Sequence, residues 1–310
     1  MNSYLPEGEI LRDFKNMEYI NSREGLIRAY ERQVILEAPA ILCDRDFNLH
    51  VSLGAHVHAK IPREECELTR GGEEIKDIAI LTRVGKPVCF KIIALSKDEA
   101  GELHLTLSRR EAQLECASHY IRTLIPGDVI SGKVTHVESF GAFVDIGCGI
   151  ISLLPIDMIS VSRISHPAER LEAGMSIYCV VKAIDELGRI FVSMKELLGT
   201  WCENASMFSE GQTVRGVVRG VEGYGIFIEL APNLAGLAEY KEGISESEIA
   251  AVYIKSIIPD KMKVKLIIID SCEGSKGGEI KYFITPKSHP HIDNWTYSPE
   301  GARKLIYSTF

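Results

Sequence analysis

The 310-residue chain lacks the short signatures of several large enzyme classes. There is no GxxxxGK phosphate loop and no GxSxG nucleophile elbow. None of the eight cysteines falls in a CxxC pair, and they are scattered along the chain. That pattern excludes the common zinc frameworks and fits reduced thiols in a reducing compartment. No apolar run approaches the roughly 20 residues that a membrane helix needs. The start, "MNSYLPEGEI", has no cationic stretch ahead of an apolar one, so no secretion signal is expected and a cytoplasmic location is. Basic charge is also short: the net charge is −8, which argues against an obligate DNA-coating protein. It leaves open single-strand binding through ring stacking. Aromatic residues are only 7% of the chain, so where they cluster is informative.

They cluster in a repeat. "VESFGAFVDIG" (137–147) places Phe140 and Phe143 three apart around Gly141, within a run of strand formers. "VEGYGIFIEL" repeats this with Tyr224 and Phe227, and "CDRDFNLHVSL" has Phe47 and His50 at the same spacing. The three sites lie roughly 90 residues apart, too long for a solenoid and suited to tandem small domains. Each is followed by two more strand-like runs. In the first unit these are "KPVCFKIIAL" and "ELHLTLS", and in the second "SIYCVVKAID" and "RIFVSMK". In the third they are read as "MKVKLIIID" and "EIKYFIT". Five short strands with turn residues between them predict a small antiparallel barrel. The expected class is all-β: three tandem five-stranded OB-fold barrels joined by short helical linkers.

"PGDVISGKVTHVESFGAFVDIG" with "SHPAERLEAGMSIYCVVKAIDELGRIFVSMK" resembles the S-one RNA-binding domain, the OB-fold module repeated in the bacterial small-subunit ribosomal protein S-one. The resemblance divides the chain into an N-terminal helical segment (1–32), a degenerate domain (33–110), a linker (111–124) and a full domain (125–198). A second linker (199–208), a third domain (209–287) and a C-terminal tail (288–310) follow. It implies that the glycine kinks the strand so that both rings reach the outer face and stack on unpaired bases. The alternative, rings that merely plug the barrel, stays open. It also implies a histidine twelve residues after the second ring, and an aspartate and an arginine four apart at the last hairpin. Pro155, Asp185 and Arg189 hold those places in the middle unit. Asp185 is read either as orienting Arg189 or as ordinary turn chemistry.

In the third unit Glu239 takes the histidine place and Glu279 is read at the arginine place. Lys261, Lys263 and Lys265 fall on one side of a strand by period-2 alternation, either tracking phosphates or forming a solvated face. The first unit keeps Phe47 and His50, then has Pro62 and Glu102, with no cation left. The N-terminal stripe of Ile10, Phe14 and Met17, beside Leu11, has helical spacing. It is expected to dock a partner, for which the resemblance suggests ribosomal protein S-two, or to pack on the first barrel.

The partners implied are single-stranded RNA and the small ribosomal subunit, with no membrane, cofactor or small-molecule substrate. The histidine pairs His56/His58 and His289/His291 have no third ligand nearby in sequence and read as surface histidines, not as a metal site. Three barrels leave no room for a carboxylate-rich nuclease domain, so no enzyme activity is expected. The resulting expectation is a protein that holds mRNA at the small subunit. An interaction adaptor, or a regulator of RNA metabolism with weakened barrels, stays open as the second reading.

Overall fold

The computed structural model describes residues 4–54, 57–69, 73–274 and 280–310. Helices α1 (Phe14–Ile20) and α2 (Arg23–Arg32) lead into a first closed barrel. Its strands are β1 (Leu36–Cys43), β2 (Leu49–Val51) and β3 (Val57–Ile61), then, after the short helix α3 (Asp77–Leu81), β4 (Pro87–Lys97) and β5 (Leu103–Ser108). Helix α4 (Arg109–His119) follows, its first turn capped by the Ser108 hydroxyl, which accepts from the Glu111 amide. The second barrel uses β6 (Val129–Glu138), β7 (Gly141–Asp145), β8 (Ile151–Pro155), β9 (Ser176–Ile184) and β10 (Ile190–Ser193). Helix α5 (Trp201–Ala205) opens on a capping box between Thr200 and Glu203. The third barrel uses β11 (Thr213–Glu222), β12 (Gly225–Ala231), β13 (Leu234–Ala238), β14 (Ile249–Ile258) and β15 (Lys263–Cys272). A two-stranded ribbon, β16 (Asn294–Thr296) with β17 (Tyr307–Thr309), ends the chain. The all-β expectation of three five-stranded barrels holds. Among the described residues, no helix is long and apolar enough to cross a membrane.

Alternation builds each core. Along β15, Val264, Leu266 and Ile268 point inward while Lys263, Lys265, Ile267 and Ile269 point out. The closed strand order leaves no free sheet edge in any barrel.

The third hairpin differs from the expected one. Its strands are β14 and β15, one run earlier than "MKVKLIIID" and "EIKYFIT". The turn between them, Pro259 to Met262, contains no glycine; Met262 itself takes the left-handed conformation (φ 48°). "KYFIT" is apolar because Tyr282 and Ile284 pack beside Val129, Val180 and Leu197, and the Tyr282 hydroxyl accepts from the Tyr178 amide. Residues 288–310, set apart above as a tail, carry Trp295 and Tyr297, which are buried in the third core.

Two compact units result. One comprises residues 1–124 and 145–151, the other 125–144 and 152–310. In the first, the N-terminal segment is built in. Leu26 and Ala29 of α2 enter the first barrel's core, with Tyr19 and Ile20 against it. Buried Asn16 exchanges hydrogen bonds with the backbone of Glu37. The stripe anticipated as a docking face is thus divided: Met17 is half-buried, whereas Phe14 is 79% exposed. In the second unit, the Arg170 guanidinium donates twice to the buried Glu229 carboxylate at 2.9 and 2.6 Å, and Arg219 donates to the same group at 2.8 Å. The Asn233 side chain donates to the carbonyls of Lys195 (2.7 Å) and Gly199 (2.8 Å) and accepts from the Val161 amide. These buried polar contacts hold the second barrel to the third.

Candidate nucleic-acid interface

Phe140 sits in the turn ahead of β7 and Phe143 within it, so three-residue spacing brings both to the outer surface. Their centroids are 6.0 Å apart with planes at 89°. Tyr224 and Phe227 repeat this arrangement at 6.1 Å and 87°. Phe140 is 54% exposed, Tyr224 71% and Phe227 36%, so these rings do not plug a barrel.

The glycine between each pair has a reason other than a kink. A Cβ on Gly141 would lie 2.5 Å from the Leu154 carbonyl oxygen, and one on Gly225 would lie 2.6 Å from that of Ala238. The first-ring turn presses its backbone against the next strand, and only glycine fits.

These glycine contacts also align the repeats: Leu154 matches Ala238, hence Leu153 matches Leu237. Leu237 pairs with Lys265 across the parallel β13–β15 contact, and Leu153 pairs with Phe191 across β8–β10. In the first barrel Lys60 pairs with Thr106, and His50, opposite Lys60, takes the Phe143 place. Two residues earlier on the last strand stand Arg189, Lys263 and His104 respectively. The cation position of the third barrel is therefore Lys263, not Glu279, which lies outside the described residues. That of the first barrel is His104 rather than Glu102.

Asp185 does both things anticipated for it. Its carboxylate accepts from the backbone amides of Leu187 (3.0 Å) and Arg189 (2.8 Å), closing the turn, and from Arg189 Nε at 2.6 Å. These bonds, the Arg189 amide's first, hold the Asp185 carboxyl below the usual carboxylate range. Asp98 and His104 repeat the pairing at 3.1 Å. Phe47 is not a free platform. It sits at φ 60° under the Arg63 guanidinium, 4.8 Å from its centroid, and packs against the core. His50 faces Asp44 at 3.1 Å, whose carboxyl is held low, chiefly by Asn48.

Two residues on these faces, Phe191 and His136, escaped the sequence reading, and a third, His58, was read only as a surface histidine. Phe191 adds a third ring to the middle barrel's row. His136 on β6 stacks on Phe143 at 6.3 Å and 19°. His58 stacks on His104 at 4.8 Å. Period-2 alternation from Arg189 points to Phe191; the histidines have no local signal, since their neighbours come from other strands.

Lys261, read above on a strand with Lys263 and Lys265, lies instead in the turn before β15. All three nevertheless line one groove of about 880 Å³ on the third barrel, with Tyr224 and Phe227 in its wall. Among the described residues, no group of three or more His, Cys, Asp or Glu side chains is arranged to hold a metal ion.

A family model described as the S1 RNA binding domain matches residues 123–195. The chain is 27% identical over 226 residues to the small ribosomal subunit protein bS1 of Rhizobium meliloti, covering 67% of this chain and 38% of that one. To bS1 of Leuconostoc lactis it is 35% identical over 151 residues, covering 47% and 34%. It thus spans about a third of the length of the curated relatives it matches. Among solved structures, a multidomain protein with nucleic acid binding domains from Streptococcus pneumoniae aligns over 77% of this chain and 74% of its own, at 15% identity and TM-score 0.26. GSP13 from Bacillus subtilis aligns over 24% and 57%, at 30% identity and TM-score 0.23. Residues 123–195, which contain the middle of three tandem barrels, thus match the S1 RNA binding domain, in a chain that is similar over part of its length to bS1 proteins.

Proposed function

We propose that this chain binds single-stranded RNA, with the middle barrel as its main site, and does so at the small ribosomal subunit. The observation that carries the reading is the middle barrel's outer face. Two mutually perpendicular rings, Phe140 exposed and Phe143 half-buried, a third ring in the same row and an arginine oriented by Asp185 stand on neighbouring strands. Rings offer sequence-tolerant platforms to unpaired bases, each worth about 1–3 kcal/mol. A guanidinium at the edge of the platform meets a phosphate or a base plane. Duplex hides its base faces, so the site selects unpaired strands. The chemistry on this face is recognition: nothing in it pairs a nucleophile with a base.

The bS1 relatives motivate the ribosomal half of the reading. Full-length chain mixed with purified small subunits is expected to co-sediment at moderate salt, and to bind a fluorescent unstructured oligoribonucleotide in preference to its duplex. Equal affinity for both forms would contradict the stacking mechanism. Binding of RNA without co-sedimentation would contradict the ribosomal half of the reading, and co-sedimentation without RNA binding would favour the second reading, an adaptor with weakened barrels.

A further inference from the structure

The third barrel's groove carries six lysines, Lys241, Lys255, Lys261, Lys263, Lys265 and Lys304, against a single lining carboxylate, Glu239. In a chain of net charge −8, that concentration of positive charge is local and directed. Five of the lysines come from the barrel or its turns. The sixth, with Ile306 and Tyr297, comes from the C-terminal segment, which lies beyond the five barrel strands.

That segment is fixed in place. Trp295 and Tyr297 are buried in the third core, and the Tyr297 hydroxyl donates to the Asn233 carbonyl at 2.6 Å. The Ser298 hydroxyl donates to the Lys304 carbonyl and accepts from the Ile306 amide, both at 2.8 Å. The ribbon of β16 and β17 closes the loop that carries Lys304. A lysine whose backbone is held on both sides is presented to the groove at little further entropic cost.

We propose that residues 297–306 form a second wall of a nucleic-acid groove on the third barrel, with Lys304 contacting a phosphate of the strand whose bases stack on Tyr224 and Phe227. The inference rests on the reading of these barrels as single-strand binders and extends it to a segment outside the repeat. Single-stranded nucleic acid suits the groove because its lining combines the rings of Tyr224 and Phe227 with the lysines. A polyanion without bases uses only half of that surface.

The test uses the full chain, both unaltered and with Phe140→Ala and Phe143→Ala to silence the middle barrel, and a fluorescein-labelled uridine 12-mer. In the silenced background, Lys304→Glu is expected to weaken binding at least about five-fold near 0.1 M salt. It should also make the salt slope shallower by about 0.7, the value for one lost phosphate contact on a single strand. Lys304→Arg should retain both. If Lys304→Glu has no effect while Lys263→Ala with Lys265→Ala weakens binding, the C-terminal wall is not part of the site; the inference falls and the RNA-binding reading stands. Polyglutamate of equal charge competing as well as the RNA would overturn the assignment to nucleic acid. A silenced chain with no residual binding would overturn the inference as well. If the unaltered chain does not bind the 12-mer, it is the RNA-binding reading itself that fails.

Discussion

Replacing Glu7 by Gln tests the most buried electrostatic arrangement in the first unit. The Glu7 carboxylate accepts from Arg109 Nε at 2.6 Å and Nη2 at 3.1 Å, from the Cys89 amide at 3.1 Å and from Arg83 at 3.3 Å. The Glu7 amide donates to Asp145 at 2.7 Å. The Arg109 side chain is fully buried and that of Glu7 nearly so. The arginine charges and the Cys89 amide hold the Glu7 carboxyl below its usual range against the opposing cost of burial. Gln keeps the shape but removes the charge, leaving Arg109 buried beside a neutral amide. Breaking such a pair costs about 3–5 kcal/mol. With a urea dependence of about 1–3 kcal/mol/M, the unfolding midpoint of this unit should fall by at least about 1 M. The assay is urea unfolding of the full chain by circular dichroism, with Glu99→Gln, on an exposed turn, as control. The double variant Glu7→Gln with Arg109→Met should recover part of the loss, because the orphaned charge is gone. A shift in Glu7→Gln no larger than in Glu99→Gln would refute the argument and mark the N-terminal segment as dispensable to the unit.

Two further outcomes follow from single contacts. Gly141→Ala forces a methyl against the Leu154 carbonyl and should cost about 1–3 kcal/mol of stability by overpacking. Thermal unfolding reads it, and an unchanged midpoint would reject the close-approach explanation. The His291 imidazole is raised above its ordinary value of 6.5, chiefly by its hydrogen bond to Asp128 at 2.8 Å. A raised histidine stabilises the fold fully below pH about 6.5, and that contribution is lost as pH rises through the folded-state value. Hydrogen-exchange protection of the Val129 and Ile292 amides, which bond to Pro290 and Gly127, should therefore fall across that window after correction for intrinsic rates. Asp128→Asn should reduce the dependence, leaving the smaller part due to Asp293 at 3.4 Å, and a pH-independent protection in the parent would contradict it.

The barrels and their ring pairs were legible because each rests on a local signal. Alternation marks the strands, and an aromatic–glycine–aromatic spacing marks the first turn of the face. What was missed depends on partners distant in sequence. Glu7 and Arg109 are 102 residues apart, and neither carries a local mark of burial. His136 gains its meaning only from Phe143 across the sheet. The third hairpin was displaced because its turn lacks glycine and because Tyr282 and Ile284, apolar for packing against the second barrel, imitate a strand. That displacement concealed Lys263 as the cation next to the rings and left Glu279 in its stead. The reason for Gly141 was misassigned for the same cause: the clash it avoids is with a strand whose position sequence alone does not supply.

The central claim is that the middle barrel grips unpaired RNA through Phe140 and Phe143. Fluorescence anisotropy of a labelled uridine 12-mer, titrated with full chain and with the variant carrying Phe140→Ala and Phe143→Ala, measures it directly. Two lost stacks of about 1–3 kcal/mol each predict at least a roughly 30-fold weakening, with the circular dichroism and unfolding midpoint retained because Phe140 is exposed and Phe143 lies on the outer face. A folded double variant that binds as tightly as the parent would contradict the account.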